Sequence, residues 1–108
     1  MARNDTESAY FTLLRAREDL DALRRYEEYL AAEARRLRRT ANEAAALAGE
    51  VDRRLLRALM HTDKPLAEAV EARQRVIADE ANRLPDRIEA AEAFVEECER
   101  EYEILRRG

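Results

Sequence analysis

The chain has a single histidine, His61, which is the first residue to consider for proton transfer or metal binding. Asp63 follows two positions later and offers a second possible ligand, but zinc sites in proteins take three or four, usually with further Cys or His. No Glu stands three residues before His61, so the Glu-x-x-His motif of metal-binding helical bundles is absent. We therefore predict no metal and no cofactor. We expect His61 at the end of a helix, where a cation is favoured.

The single cysteine, Cys98, lacks neighbours that would activate a thiol. A reactive thiolate needs a nearby cation or base, whereas Cys98 is flanked by Glu97 and Glu99. We predict that Cys98 is buried as a small apolar side chain. One cysteine excludes an intramolecular disulfide, which fits a reducing, cytoplasmic setting.

Four arginines form a cluster that resembles a nucleic-acid interface. The arginine cluster consists of Arg35, Arg36, Arg38 and Arg39. Phosphate binding requires such side chains on one accessible face, but this run wraps around a helix and points in several directions. The fold predicted below also places three acidic residues opposite the cluster, namely Asp86, Glu89 and Glu92. These points, with a formal net charge of −4, disfavour nucleic acid, which we keep as an alternative partner.

No sequence motif indicates catalysis. The chain has no Gly-rich phosphate loop, no Ser-His-Asp set and no zinc-ligand spacing, so we expect no enzyme activity. Its composition is typical of long helices instead, because 41% of the residues are charged and only two are Gly and two Pro. No apolar run approaches the ~20 residues that span a bilayer, and the first residues lack the apolar core of a signal peptide. We expect no membrane association.

Two heptad patterns cover most of the 108 residues. Apolar or small residues recur at alternating spacings of three and four from Leu13 to Ala58, and again from Ala67 to Leu105. The first pattern includes Leu20, Ala34, Leu37 and Leu55, and the second includes Leu84 and Cys98. Such spacing is typical of a coiled-coil seam. We therefore predict an all-α protein with a single domain over residues 1–108.

The segment between the two patterns, residues 61–65, predicts a turn. Asp63 is a suitable N-cap, and Pro65 would fall in the first turn of the next helix, where proline is tolerated. Two helices joined by a short turn form a long antiparallel hairpin, and this register places Leu23 opposite Tyr102. The predicted elements are a helix over about 5–61, a turn at 61–65 and a helix over about 65–107.

Two residues leave alternatives open. Gly49 lies inside the first pattern at a cost of about 1 kcal/mol relative to Ala, so a break near residues 42–49, giving three helices, competes with one continuous helix. Pro85 lies inside the second pattern. We predict a kink there because the pattern keeps its phase on both sides, and a helix end at Pro85 is the alternative.

Several apolar residues lie outside the seams and indicate a second interface. A long, Ala-rich hairpin buries little area per residue, and oligomerisation is a common remedy for a thin core. We predict a homodimer, most simply a four-helix bundle. The predicted interface consists of Tyr10, Phe11, Leu14, Tyr26, Tyr29, Leu47, Leu56, Val76, Phe94 and Ile104.

These features favour a non-enzymatic, cytoplasmic scaffold or adaptor that acts by self-association and by binding another protein. The alternative is a nucleic-acid-associated or transcription-machinery-binding regulator that uses the arginine cluster. A coiled-coil pattern specifies a fold and does not name the partner.

Overall fold

The computed structural model describes residues 2–108, with side chains from Asn4 onward. Helices make up 97% of it. α1 covers Ala2–Glu50 and α2 covers Arg53–Arg107. The predicted all-α class and the helical hairpin are confirmed. No helix among the described residues is both long enough and apolar enough to cross a membrane.

The turn of the hairpin lies at Val51 and Asp52, well before the predicted one. Residues 61–65 are helical and lie inside α2, so the predicted turn and the helix boundaries derived from it are wrong. Asp52 caps the start of α2, because its Oδ1 accepts a hydrogen bond from the Leu55 backbone N–H at 2.9 Å. The alternative break near residues 42–49 is closer to the observed turn, but residues 2–108 form two helices and not three.

The position of the turn allows both arms of the hairpin to bury their apolar faces. A turn at residues 61–65 would shift the two helices so that Leu13 and Ala16 no longer lie beside Val95 and Cys98. In the structure these two side chains are only 3% and 4% exposed. They belong to one apolar cluster with Leu20, Val95 and Cys98. The tertiary contacts of this cluster therefore decide where the chain turns.

α2 passes through both prolines of the chain, Pro65 and Pro85. Each proline removes one backbone N–H from the helix, and Pro65 deprives the His61 carbonyl oxygen of its usual partner. Both prolines are exposed, so water can hydrate the freed carbonyls. The helix end considered at Pro85 is wrong, while the kink predicted there stays a prediction. At the other end of the chain, α1 begins at Ala2 and not near residue 5.

The contacts of the chain divide into two units. The terminal unit comprises Met1–Glu28 and Arg83–Gly108, and the turn unit comprises Tyr29–Asn82. Each unit contains a stretch of α1 and a stretch of α2.

The terminal unit shows the register of its two helices directly. Arg24 Nη2 lies 3.6 Å from Glu92 Oε2, and the rings of Tyr10 and Tyr102 have centroids 5.4 Å apart. Tyr102 therefore lies beside Tyr10 and not opposite Leu23, so the predicted register is wrong. The error follows from the misplaced turn.

The turn unit has a much smaller core. Its buried apolar side chains are Leu30, Leu37 and Ile77. No residue from position 38 to position 76, which we call the turn-proximal segment, is buried. Leu55 and Leu66 are 57% and 58% exposed, although the predicted seam placed Leu55 inside. The seam is thus correct for much of the two arms and wrong around the turn.

Candidate interaction surfaces

An apolar groove of about 420 Å³ lies between α1 and α2 in the turn unit. Alanine side chains are too short to fill the space between two helices, so the Ala-rich part of α1 leaves the groove open. The side chains from α2 are larger, and Met60 and Leu66 are 59% and 58% exposed. The apolar residues that line the groove are Ala41, Ala44, Ala45, Ala48, Leu59, Met60, Leu66, Ala67 and Val70. Polar residues at its edges are Thr40, Asp63, Lys64, Glu71 and Gln74.

Glu33 is a buried carboxylate that connects α1 to α2 within the turn unit. Only 8% of the residue is exposed. Arg36 Nε donates to Oε2 at 3.0 Å, and Arg73 Nε from α2 donates to Oε1 at 3.4 Å. Arg73 Nη2 also donates to the Tyr29 hydroxyl at 3.4 Å. The hydrogen bond from Arg36 is the main cause that lowers the pKa of Glu33, and the charges of both arginines add to it, against the opposing effect of burial.

Sequence analysis did not identify Glu33. The heptad pattern placed Ala34 in the seam, whereas the helix is rotated so that Glu33 is buried and Ala34 is half-buried. Arg36 three positions later was the available sequence signal, because residues i and i+3 are neighbours on a helix. The partner Arg73 depends on the hairpin register and could not be found without the turn.

All four arginines of the cluster are exposed, and three of them, Arg35, Arg38 and Arg39, line the same part of α1. Within the described part of the chain, no carboxylate forms an ion pair with Arg35, Arg38 or Arg39. The three line a shallow depression with other residues of α1, namely Asn42, Glu43 and Ala46. The arginines on this face therefore keep their donors available to an external anion.

The remaining arginine and the predicted acidic partners lie elsewhere. Arg36 is bound to Glu33. Glu92 was expected opposite the cluster, but it pairs with Arg24 in the terminal unit. Asp86 and Glu89 also belong to the terminal unit. The predicted neutralisation of the cluster by these three acids is wrong, again because the turn was misplaced.

Aromatic side chains form a second surface feature in the terminal unit. The rings of Tyr10 and Phe11 have centroids 5.9 Å apart, and Tyr10 also contacts Tyr102. Phe11 is 64% exposed. The three rings line a shallow depression with Thr6 and Glu7. The structure thus brings Tyr10 and Phe11, both predicted interface residues, onto one surface.

Cys98 is 4% exposed, as predicted. Burial raises the pKa of its thiol, and the negative charges of Glu101 and Glu97 raise it further. His61 is exposed in the interior of α2, so the expectation that it lies at a helix end is wrong. Over the described residues, no three or more His, Cys, Asp or Glu side chains are grouped so that they could hold a metal ion.

Comparisons of this chain with known protein families, with curated proteins and with solved structures found no match. The surfaces described above therefore carry the functional argument alone.

The structure places the predicted interface residues in both units. Most of them are at least 41% exposed, namely Tyr10, Phe11, Tyr29, Leu47, Val76, Phe94 and Ile104. The others are half-buried, namely Leu14, Tyr26 and Leu56. Leu55 and Leu66 are also exposed, although the predicted seam included Leu55. Whether these residues form an interface stays a prediction.

Proposed function

We propose that the chain is a self-associating helical scaffold or adaptor, most simply a homodimer that forms a four-helix bundle. In this proposal it acts in the cytoplasm by binding proteins and not by catalysis. The main support is the large accessible surface area of the chain. The chain exposes 8703 Å², whereas a folded monomer of 12.5 kDa exposes roughly 6,200 Å² on average.

The difference of roughly 2,500 Å² can be compared with the area that dimers bury. Obligate dimers bury about 2,000–5,000 Å² in total, which is about 1,000–2,500 Å² from each chain. The surplus surface of this chain is therefore large enough for a permanent interface. The exposed surface includes large apolar side chains, because Phe11, Met60, Leu66 and Ile104 are each more than half exposed. Burying exposed apolar side chains favours association.

Sedimentation velocity over a range of protein concentrations tests the proposal. We expect a dimer at micromolar concentration, with the helical content of the structure retained in circular dichroism. The sedimentation coefficient should fall toward the monomer value on dilution. A stable monomer at high micromolar concentration would contradict self-association.

The non-enzymatic part of the proposal is supported by the two residues with the most versatile chemistry. His61 is exposed on α2, away from Cys98 in sequence and in the other unit. Cys98 is buried beside carboxylates that raise the pKa of its thiol, which is the opposite of thiol activation.

A second candidate function, nucleic-acid binding, gains support from the arginine cluster. Arg35, Arg38 and Arg39 are exposed, and the acids expected to neutralise them lie elsewhere. If they bind phosphates, affinity will fall steeply as salt rises, because each neutralised phosphate releases counterions. A mobility-shift assay at low and at physiological salt tests this, with a variant carrying Glu at positions 35, 38 and 39 as the control, because Arg36 is bound to Glu33. The scaffold proposal expects no binding near physiological salt.

A further inference from the structure

We propose that the groove of the turn unit is the docking site for a second copy of this chain, and that the two turn units pack against each other. This inference rests on the proposed self-association and assigns it a location. The occupant of each groove is the exposed apolar edge of the other copy's α2, which includes Met60 and Leu66.

Burial points to the turn unit and not to the terminal unit. The terminal unit already has a core, because Leu13, Ala16 and Cys98 are each at most 4% exposed. The turn-proximal segment has no buried residue, yet it contains four large apolar side chains that are between 46% and 59% exposed, namely Leu47, Leu55, Met60 and Leu66. A second apolar surface would bury these side chains and enlarge the small core of the turn unit.

The charge of the turn unit makes the turn unit of a second copy a suitable occupant. The turn unit contains ten basic and nine acidic residues, whereas the terminal unit contains ten basic and fifteen acidic residues. Two turn units can therefore approach each other with almost no net repulsion. Two terminal units would bring together two surfaces with a formal charge of −5 each.

The lining of the groove also fits a symmetric interface. In a two-fold dimer the same patch serves on both chains, so every contact occurs twice. The groove provides both halves of such a patch, because small side chains from α1 lie beside protruding ones from α2. Ala44, Ala45 and Ala48 allow a helix to approach closely, and Met60 is flexible enough to fill the remaining space.

Two neighbouring alanines give a matched test. Ala45 lines the groove, whereas Ala46 lines the depression at the arginine cluster on another face of α1. Both are exposed in the single chain, so Ala45→Glu and Ala46→Glu add the same charge and the same helix propensity without disturbing a core. Sedimentation equilibrium of each variant gives the dimer dissociation constant, and circular dichroism checks that helical content is unchanged.

We expect Ala45→Glu to raise the dissociation constant by about tenfold or more, because dimerisation would bury an unpaired carboxylate. Ala46→Glu should change it by less than about twofold. Met60→Glu, at the protruding side of the patch, should act like Ala45→Glu. Ile104→Glu, in the terminal unit, should act like Ala46→Glu.

Each remaining outcome overturns a different claim. If wild type dimerises and Ala45→Glu and Met60→Glu leave the dissociation constant unchanged, the groove is not the docking site, although self-association stands. If Ile104→Glu alone dissociates the dimer, the terminal unit is the interface and our location is wrong. A wild-type chain that stays monomeric overturns both the second copy as occupant and the proposed function.

Discussion

Replacing Pro65 by Ala should stabilise the protein, because Pro65 lies in the interior of α2. A proline there is about 3 kcal/mol less favourable than alanine, since it removes a hydrogen bond to the His61 carbonyl and its ring crowds the preceding turn. Proline also lowers the conformational entropy of the unfolded chain, which stabilises the wild type and offsets about 0.4–1 kcal/mol of this cost. The exposed Pro65 ring makes no buried contact that would be lost. We therefore expect Pro65→Ala to raise the free energy of unfolding by about 2 kcal/mol.

Urea denaturation at a concentration where the chain is monomeric measures this change. Two N-cap variants serve as companions. Asp52→Ala should cost about 1 kcal/mol, because Asp52 accepts the Leu55 N–H, whereas Asp63→Ala, inside α2, should cost much less. With a turn at residues 61–65 these results would be reversed: Pro65→Ala would be neutral or harmful, and Asp63→Ala would be the costly cap variant. That pattern would refute the observed position of the turn.

Three further predictions address packing, backbone and charge. Leu84 is 1% exposed and Leu66 is 58% exposed. In thermal melts of the monomer, Leu84→Ala should therefore lower the free energy of unfolding by about 2–5 kcal/mol and Leu66→Ala by about 1 kcal/mol. Equal losses of stability would contradict the assigned burial. Gly49→Ala should stabilise by about 0.5–1 kcal/mol, measured by urea denaturation, because Gly49 is helical, without a positive φ, and an added Cβ meets nothing within 4 Å. The pKa of Glu33 is lowered in the folded state, so its ionisation stabilises the fold above its unfolded pKa, and this contribution is lost as pH falls through its folded pKa. Melts between about pH 5 and pH 2 should therefore show a larger loss for wild type than for Glu33→Gln, and parallel losses would speak against this role.

The sequence was sufficient to predict the class of the fold and much of its core. Heptad spacing does not depend on the turn, so Leu13, Leu20, Leu37 and Leu84 were correctly assigned to the seams and are buried. The same is true of Cys98. Local periodicity is a property of one helix, and it can be read without knowing what the helix packs against.

The position of the turn could not be predicted from local signals. Asp63 and Pro65 together form a stronger helix-start pattern than Asp52, yet the chain turns at Asp52. The choice depends on the total burial of two long arms, which is a non-local quantity. All predicted contacts between the two helices were therefore wrong, including the pairing of the three acidic residues with the arginine cluster. The link between Glu33 and Arg73 was missed for the same reason.

Because Cys98 is protected in the folded state, its rate of chemical labelling can measure opening of the terminal unit. Its thiol is buried, its pKa is raised, and it is the chain's single cysteine. A maleimide or aromatic disulfide should therefore react slowly with the native protein and faster once the cluster around Leu13 and Val95 has opened. The labelling rate divided by the rate for an unfolded chain gives the equilibrium constant of that opening, and its logarithm gives the free energy of opening. The turn unit holds no cysteine. The labelling rate of the wild-type chain therefore reports on opening of the terminal unit alone.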